Sequence, residues 1–263
     1  MSNHPYINIA IKAARNAGNV ITKGLERLDI IDVLEKNPLD FVTEIDHQAE
    51  KIIIDTIHKA YPNHSILAEE TGAIPKQDQD ITWIIDPLDG THNFMRGLPH
   101  FCVSIAVQKG KTVEHGVIYD PIRHELFTAS RGQGARCNNH RLRVTQRNQL
   151  EGAMLATAFP WGKQQVIDHY LTRSRSLFTD YAYKIRCTGS AALDLAYVAA
   201  GRLDGFWELE LQPWDMAAGA LMIKEAGGLV SDFDGSEAYL ERGNIVGASP
   251  RVFKALLQAL YQK

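Results

Sequence analysis

The segment that most constrains the fold of this chain is residues 83–91, with the sequence WIIDPLDGT. Its apolar start predicts a buried strand. Pro87 has no backbone N–H and is expected to end that strand, so that Asp86 and Asp89 lie at its carboxyl end. The following glycine allows a sharp turn, after which Thr91 is expected to cap a short helical turn. The segment therefore predicts two carboxylates beside a helix N-terminus, an arrangement that can hold a divalent metal ion and a phosphate group together.

Asp and Gly are also common in ordinary turns, so the metal interpretation depends on oxygen ligands elsewhere in the chain. Mg²⁺ takes about six oxygens and usually only a few from protein carboxylates. Two further candidates stand at predicted chain breaks, Glu69 at a strand end and Asp215 at a helix start. Taken singly, Glu69 and Glu70 would be a solvated pair, and Asp215 would offset a helix dipole. Together with Asp86 and Asp89, they predict a two-metal site.

Composition narrows the class of protein. The chain has 263 residues, of which 45% are hydrophobic and 22% charged, enough for one large domain or two smaller ones. A net charge of −3 with dispersed basic residues argues against strong nucleic-acid binding. The scattered cysteines, Cys102, Cys137 and Cys187, form no C-x-x-C pair and indicate neither a zinc site nor a disulfide framework. No apolar run approaches the length of a membrane span and no signal peptide is recognised, so we expect a soluble, cytoplasmic protein.

Hydrophobic periodicity predicts the elements of the first half. Apolar residues at helical spacing indicate amphipathic helices over about 5–26 and 45–60, the second with a capping signal at Thr43 and Asp46. The polar segment 71–80 is expected to be a mobile loop. Short apolar segments predict strands at 30–34 and 65–68, and turn-bounded ones predict an antiparallel meander at 102–107, 113–119 and 126–129.

Near residue 150 the pattern changes to alternating strands and helices, which is typical of an α/β layer. A helix is expected over 163–179, and another, capped by Ser190, is apolar nearly all round and should be buried. Asp194 within that helix is expected to be a hydrogen-bonded buried carboxylate. We therefore expect an α/β (α+β layered) fold with two parts, 1–150 carrying the metal motif and 151–263, which share one active-site cleft.

Several motifs resemble those of the inositol monophosphatase family. Residues 86–94 have the family's form D-P-[IL]-D-G-T-x-N-F, residues 214–219 have its W-D-x-A-A-G form, and the pairs Glu69-Glu70 and Gly227-Gly228 match as well. The resemblance runs almost the full length and is closest to the bacterial SuhB-like branch, notably in residues 98–101, 188–197 and 201–205. It implies an αβαβα sandwich of the inositol monophosphatase and fructose-1,6-bisphosphatase type. It also implies a lithium-sensitive, Mg²⁺-dependent phosphomonoesterase.

The resemblance assigns metal ligands by position. It implies that Glu69, Asp86 and the backbone carbonyl of Leu88 bind one metal ion. It implies that Asp86, Asp89 and Asp215 bind a second, so that Asp86 bridges the two ions. Magnesium is therefore the expected cofactor, and histidines are not expected among its ligands because Mg²⁺ prefers oxygen.

The resemblance also implies catalytic and substrate-binding roles. The hydroxyl of Thr91, paired with Asp46, would orient the attacking water, and Glu70 would support the water shell of the first metal ion. The implied substrate contacts are Asp89, Gly90, Thr91, Arg186 and Glu208, with phosphate held by the backbone N–H groups of residues 90 and 91. Without the resemblance, Glu208 would be an exposed strand residue and Arg186 a surface cation.

Two classes of function follow from the resemblance. The first is hydrolysis of inositol 1-phosphate, with other sugar phosphates, nucleotide bisphosphates or NADP as alternative substrates; Glu208 favours a polyol. The second is association with RNA polymerase and Nus-type antitermination partners, which SuhB-like proteins are known for and in which catalysis is dispensable. A homodimer is expected, without membrane contact. Position 92 is His where many relatives have Thr, and position 187 is Cys where a second Arg often follows Arg186.

Overall fold

The structure is a computed structural model that describes residues 4–28, 33–37, 40–160, 164–179 and 184–260. The helices in these ranges are α1 (Pro5–Leu25), α2 (Glu44–Ala60), α3 (Thr91–Met95), α4 (Gln164–Thr179), α5 (Ala191–Ala199), α6 (Pro213–Glu225), α7 (Tyr239–Arg242) and α8 (Pro250–Leu260). Among these described residues, no helix has both the length and the apolar character needed to cross a membrane.

The same residues form strands that build two larger sheets and one hairpin. The strands are β1 (Val33–Asn37), β2 (Asp40–Thr43), β3 (His64–Ala68), β4 (Gly72–Ile74), β5 (Asp78–Asp89), β6 (Cys102–Lys109), β7 (Thr112–Asp120), β8 (Glu125–Ser130), β9 (Gly134–Cys137), β10 (His140–Arg141), β11 (Met154–Ala156), β12 (Lys184–Arg186), β13 (Gly205–Glu208), β14 (Leu229–Ser231) and β15 (Ile245–Ala248). The first sheet has the order β10-β9-β8-β7-β6-β5-β3-β4, the second the order β12-β11-β13-β15-β14, and β1 pairs with β2.

Both faces of the first sheet are covered by helices. In β5 the side chains of Trp83 and Ile85 pack in the core that α1 and α2 contribute to. Ile84 between them packs in the core that contains α5 and α6. Successive side chains of a strand point to opposite faces, so a strand covered on both faces must be apolar at every position. This explains the uninterrupted apolar run that precedes Asp86.

The second sheet repeats this arrangement and completes the layers. Phe206 on β13 packs towards α5 and α6, whereas its neighbour Trp207 packs with residues of α4 and α8. Helices α5 and α6 therefore lie between the two sheets, and eight residues of α5 are buried. The layers follow the order α1 and α2, first sheet, α5 and α6, second sheet, α4 and α8. The expected αβαβα sandwich and the buried, apolar α5 are confirmed.

The end of β5 differs from the expectation. The strand does not stop at Pro87 but continues to Asp89, with an irregularity in its pairing to β6. Asp86 faces Ser104 and Asp89 faces Cys102, so three steps along β5 match two steps along β6. Such a bulge accommodates proline, which has no N–H to donate across the ladder. The strand-ending role of Pro87 is wrong, and the bulge keeps both carboxylates attached to the rigid sheet.

Other differences concern short strands. The segment 71–80, expected to be a mobile loop, carries β4 and the start of β5, and β4 pairs antiparallel with β3. The sequence also does not predict β9, β10, β14 and β15. Strands of two to four residues are stabilised by their neighbours in the sheet, which a local pattern does not reveal. Residues 30–32 of the strand expected at 30–34, and residue 163 of the helix expected at 163–179, lie outside the described residues.

The two parts of the chain share a hydrophobic core. One cluster of buried residues contains Ile118 from β7 together with Leu195 from α5 and Met222 from α6. Because the middle helical layer belongs to the second part and covers the first sheet, neither part buries its core alone. The division near residue 150 stays a prediction.

Candidate metal and phosphate site

Three carboxylates from two distant segments of the chain meet at the bulge of β5. Oxygen atoms of Asp86, Asp89 and Asp215 all lie within 4.8 Å of one another. Asp86 and Asp89 come from the end of β5, and Asp215 comes from the first turn of α6. Glu69 joins them from the end of β3, because its N–H donates to the carbonyl of Ile85 on the neighbouring parallel strand at 3.1 Å.

The carboxylates raise one another's pKa. Burial raises the pKa of Asp86 well above its usual value, and the negative charges of Glu69, Asp89 and Asp215 raise it further. Burial and the charge of Asp89 raise the pKa of Asp215 to about 7. Carboxylates held this close in a buried place favour a cation between them. An all-oxygen donor set from carboxylates suits Mg²⁺ or a similar hard cation, so the residues present fit the implied metal.

Hydrogen bonds within the protein hold two of these carboxylates in place. Asp86 Oδ1 accepts the N–H of Leu88 at 2.9 Å. Asp89 Oδ2 accepts the hydroxyl of Ser190 at 2.5 Å and the N–H of Ala192 at 2.8 Å, which places it at the N-terminus of α5. A carboxylate at a helix N-terminus is stabilised by the unpaired N–H groups there. Asp89 therefore ties the bulge of the first sheet to the middle helical layer.

The turn after the bulge is built by Gly90. Its φ of 98° is in the left-handed region, and it is Gly90, not Thr91, that occupies the N-cap position of α3. A Cβ at this residue would lie 3.0 Å from the carbonyl oxygen of His100. A larger residue would therefore be strained both by this close contact and by the left-handed backbone conformation. The expected capping role of Thr91 is wrong, because its side chain makes no capping bond and points elsewhere.

The hydroxyl of Thr91 lies between two acceptors. Its Oγ1 is 2.9 Å from Asp46 Oδ1 and 3.0 Å from the carbonyl oxygen of Leu88. The other oxygen of Asp46 accepts the N–H of Thr43 at 2.8 Å and its hydroxyl at 2.6 Å, which forms the expected capping box at the start of α2. Asp46 thus combines a helix cap with a contact to Thr91, the two roles that the sequence left open.

Asn93 connects α3 to the part of the chain that follows residue 150. Its side-chain amide donates to the carbonyl of His100 at 2.7 Å and to that of Thr188 at 2.8 Å. Thr188 precedes α5, whose N-terminus binds Asp89. The same two segments are therefore linked twice, once through Asp89 and once through Asn93. As one residue of the motif D-P-[IL]-D-G-T-x-N-F, this asparagine had no separately predicted role.

The other predicted site residues differ in how they relate to the acidic group. Glu208, at the end of β13, has a pKa raised by burial and by the charges of Asp215, Asp194 and Asp89, so it lies within electrostatic reach of the acidic group. The side chain of Glu70 is only 2% exposed, and an oxygen lies 4.0 Å from the ring of His47. The exposed Arg186 lies on the edge strand β12 and donates to the carbonyl of Ile185 at 3.1 Å. Among the described contacts, none joins Arg186 to the acidic group.

Two further carboxylates near the site are buried. Glu50 was not predicted as a site residue, and Asp194 was predicted only as a hydrogen-bonded buried carboxylate. Glu50 on α2 is 2% exposed and binds the chain just after Glu69. Its position one helical turn after Asp46, on the face of α2 that is otherwise apolar, was the available signal. Asp194 accepts the hydroxyl of Thr188 at 2.6 Å through Oδ2, but its Oδ1 has no hydrogen-bond partner among the described residues. The expectation of a satisfied carboxylate is thus met by one oxygen only, and burial raises the pKa of Asp194 to about 7.

Comparison with known proteins places the chain among relatives with the same fold. The profile of the Inositol monophosphatase family matches residues 2–263. The Nus factor SuhB of Escherichia coli strain K12 is 55% identical over 255 residues, covering 97% of this chain and 95% of that protein.

Two solved structures are similar to this chain in both sequence and fold. The extragenic suppressor protein SuhB from Bartonella henselae is 42% identical with a TM-score of 0.94, covering 98% of this chain and 99% of that one. An inositol monophosphatase from Anabaena is 35% identical with a TM-score of 0.83, covering 97% of this chain and 94% of that one. A family match over the whole chain and relatives above half identity lead to one conclusion. The chain belongs to the inositol monophosphatase family, as a SuhB-like member.

Proposed function

We propose that this protein is a Mg²⁺-dependent, Li⁺-sensitive phosphatase that hydrolyses inositol 1-phosphate. The observation that carries the proposal is the set of oxygen atoms of Asp86, Asp89 and Asp215 within 4.8 Å of one another, at the start of the helix that Thr91 opens. Membership in the inositol monophosphatase family supports phosphatase activity. The substrate and the metal are inferred from the resemblance together with this geometry.

In this proposal one Mg²⁺ would be held by Glu69, Asp86 and the carbonyl of Leu88, and the second by Asp86, Asp89 and Asp215. When bound, the metal would supply neutralisation of the phosphate charge, a lowered pKa for a water and stabilisation of the leaving alkoxide. The chain's part is to keep the carboxylates in position, which the bulge of β5 and the N-terminus of α5 do. Glu70, which is almost fully buried beside Glu69, supports the water shell on that side.

The nucleophilic water is positioned by Thr91 and Asp46. The Thr91 hydroxyl has a single proton, and donating it to Asp46 at 2.9 Å leaves the oxygen lone pairs free to accept a hydrogen bond from water. The first N–H groups of a helix have no acceptor within that helix, so those of Gly90 and Thr91 can bind phosphate oxygens. The reaction needs no covalent nucleophile. Cys102 beside Asp89 fits this, because burial raises the pKa of its thiol well above its usual value and keeps it protonated.

The polyol part of the substrate is assigned to Glu208. This carboxylate lies within electrostatic reach of the same acidic group, at the end of β13, and can accept hydrogen bonds from sugar or inositol hydroxyls. Arg186 is retained as a residue of the substrate rim on the basis of the resemblance alone. Other sugar phosphates, nucleotide bisphosphates and NADP are the alternative substrates, since the residues around the hydroxyl groups decide between them.

Phosphate release from a panel of substrates tests the proposal. The purified chain should hydrolyse myo-inositol 1-phosphate only with Mg²⁺ present, and Li⁺ should inhibit the reaction. Removal of the metal with EDTA should abolish it, and readdition of Mg²⁺ should restore it. Undiminished hydrolysis in EDTA would contradict the metal mechanism. Preference for a nucleotide bisphosphate or NADP would contradict the substrate while leaving the chemistry in place.

A second candidate function is association with RNA polymerase and Nus-type antitermination factors. The name Nus factor SuhB, carried by relatives at 52–56% identity, favours it. If such binding is separate from catalysis, the Asp86→Asn protein should still retain RNA polymerase in a pull-down. Loss of the polymerase in this variant would tie binding to the metal site, and its absence with the unmodified chain would remove the hypothesis. The homodimer and the cytoplasmic location stay predictions.

A further inference from the structure

Helix α2 presents two buried carboxylates to the candidate site, one helical turn apart. Asp46 is 0% exposed and Glu50 is 2% exposed. Residues four apart lie on the same face of a helix, so both carboxylates point from α2 in nearly the same direction. Asp46 contacts Thr91, the first residue of α3. Glu50 contacts a different segment, the turn that follows β3, and the proposed function gives it no role.

Glu50 uses both of its oxygens on that turn. Its Oε2 accepts the N–H of Glu70 at 2.8 Å, and its Oε1 accepts the N–H of Thr71 at 2.9 Å and also the hydroxyl of Thr71. Three donors on two consecutive residues therefore converge on one carboxylate. Hydrogen bonds to an ionised acceptor are about twice as strong as neutral ones. Three of the roughly four lone-pair sites of the Glu50 carboxylate are therefore used to hold this turn.

The residue immediately before these donors is Glu69. Its N–H donates to the carbonyl of Ile85 in β5 at 3.1 Å. Glu69 is thus fixed on its N-terminal side by the sheet, and on its C-terminal side by Glu50. Its carboxylate lies close enough to Asp86 to raise the pKa of that residue. Loss of these bonds would let the turn rotate and move the Glu69 carboxylate away from Asp86, because Glu50 accepts both backbone N–H groups that follow Glu69.

We propose that Glu50 is a positioning residue that sets the Mg²⁺ affinity of the site by holding Glu69 in place. This inference rests on the proposed metal site. Outer groups that orient metal ligands typically change affinity by about 10–100-fold when they are removed. The geometry also explains why a carboxylate is needed. An amide in either orientation would turn its NH₂ group towards a backbone N–H, of Glu70 or of Thr71, and lose that bond.

The test compares Glu50→Gln with Asp55→Asn, which removes the same charge from an exposed position of the same helix. Mg²⁺ is titrated into the metal-free proteins by calorimetry, and phosphate release is measured at saturating Mg²⁺. Glu50→Gln should weaken Mg²⁺ binding by about 10–100-fold, while kcat at saturating Mg²⁺ stays within a few-fold of the unmodified protein. Asp55→Asn should leave both quantities unchanged. A purely structural role for Glu50 would lower the melting temperature and leave Mg²⁺ affinity unchanged, and that result would overturn the inference.

A second variant covers the case in which Glu50→Gln does not fold. Thr71→Val removes only the hydroxyl donor and should weaken Mg²⁺ binding by a smaller factor, whereas Thr71→Ser keeps the donor and should restore it. Equal Mg²⁺ affinity in Thr71→Val and Thr71→Ser, with Glu50→Gln unfolded or unchanged, would also overturn the inference. Failure of the proposed function is distinct, because the unmodified chain would then bind no Mg²⁺ at all.

Discussion

The Asp86→Asn protein should fold normally and lose phosphatase activity by at least about 10³-fold, because in the proposed site Asp86 would be a ligand of both metal ions, whose stabilisation of the transition state is worth several kcal/mol. The substitution keeps the size of the side chain and its carbonyl oxygen, which can still accept the N–H of Leu88. It removes one of the charges that meet at the bulge of β5. Phosphate release with saturating Mg²⁺ is the measurement, and Asp55→Asn is the matched control for removal of a carboxylate.

A readout without substrate accompanies this variant. Ligands that bind only the folded state raise its melting temperature, so Mg²⁺ should stabilise the unmodified protein and have little effect on Asp86→Asn. When no metal is bound, the buried carboxyls also make a contribution to stability that depends on pH. A carboxyl whose pKa is raised in the folded state, such as Asp215 at about 7, keeps a proton that the unfolded chain releases. The contribution of this carboxyl to the metal-free stability should therefore fall as pH rises from about 4 to about 7, measured as the difference in stability between the unmodified protein and Asp215→Asn. Full activity in Asp86→Asn would contradict the bridging assignment.

The Thr91→Val protein should lose about 10²–10³-fold in kcat, the range expected when a group that orients the reacting water is removed. Valine has nearly the same shape as threonine but offers no hydroxyl to accept a hydrogen bond from water. Thr91→Ser retains the hydroxyl within reach of Asp46 and should keep far more activity. Stabilisation by Mg²⁺ should persist in both variants, since the three clustered carboxylates remain. An unchanged kcat in Thr91→Val would contradict the water-positioning role.

Asp46→Asn separates this role from helix capping. Asp46 accepts two bonds from Thr43 at the start of α2 and one from Thr91. The amide can replace only part of this set, so the variant should lose activity and also about 1 kcal/mol of stability, as expected for a weakened cap. Thr91→Val should lose activity with a smaller change in stability. A loss of stability with an unchanged kcat in Asp46→Asn would indicate that capping alone explains Asp46.

Much of the secondary structure was predictable because it is encoded locally. The helices α1 and α2 follow from apolar residues at helical spacing, and the start of α2 follows from the capping box of Thr43 and Asp46. The meander of β6, β7 and β8 follows from apolar segments separated by turn residues. The short strands β14 and β15 were missed because their stability comes from pairing with distant segments.

The sequence by itself determined the chemical groups of the site, because Asp86, Asp89 and Thr91 are neighbours along the chain and their motif is specific. Only the tertiary structure decided how these groups are held. The parallel pairing of β3 with β5 brings Glu69 to Asp86, and the packing of α6 on the first sheet brings Asp215 within reach. These are contacts between residues far apart in sequence, whose register depends on the packing of whole layers.

Long-range packing also explains two features that the sequence did not predict, the continuation of β5 past Pro87 and the role of Glu50. Pro87 does not end β5, because its pairing with β6 continues through a bulge that no local pattern announces. Glu50 was not predicted as a site residue, although it lies on the buried face of α2 one turn after Asp46. It becomes part of the site because α2 packs beside the turn after β3, where three donors need a buried acceptor. Local residue patterns fix which groups are present, and long-range packing fixes which of them meet.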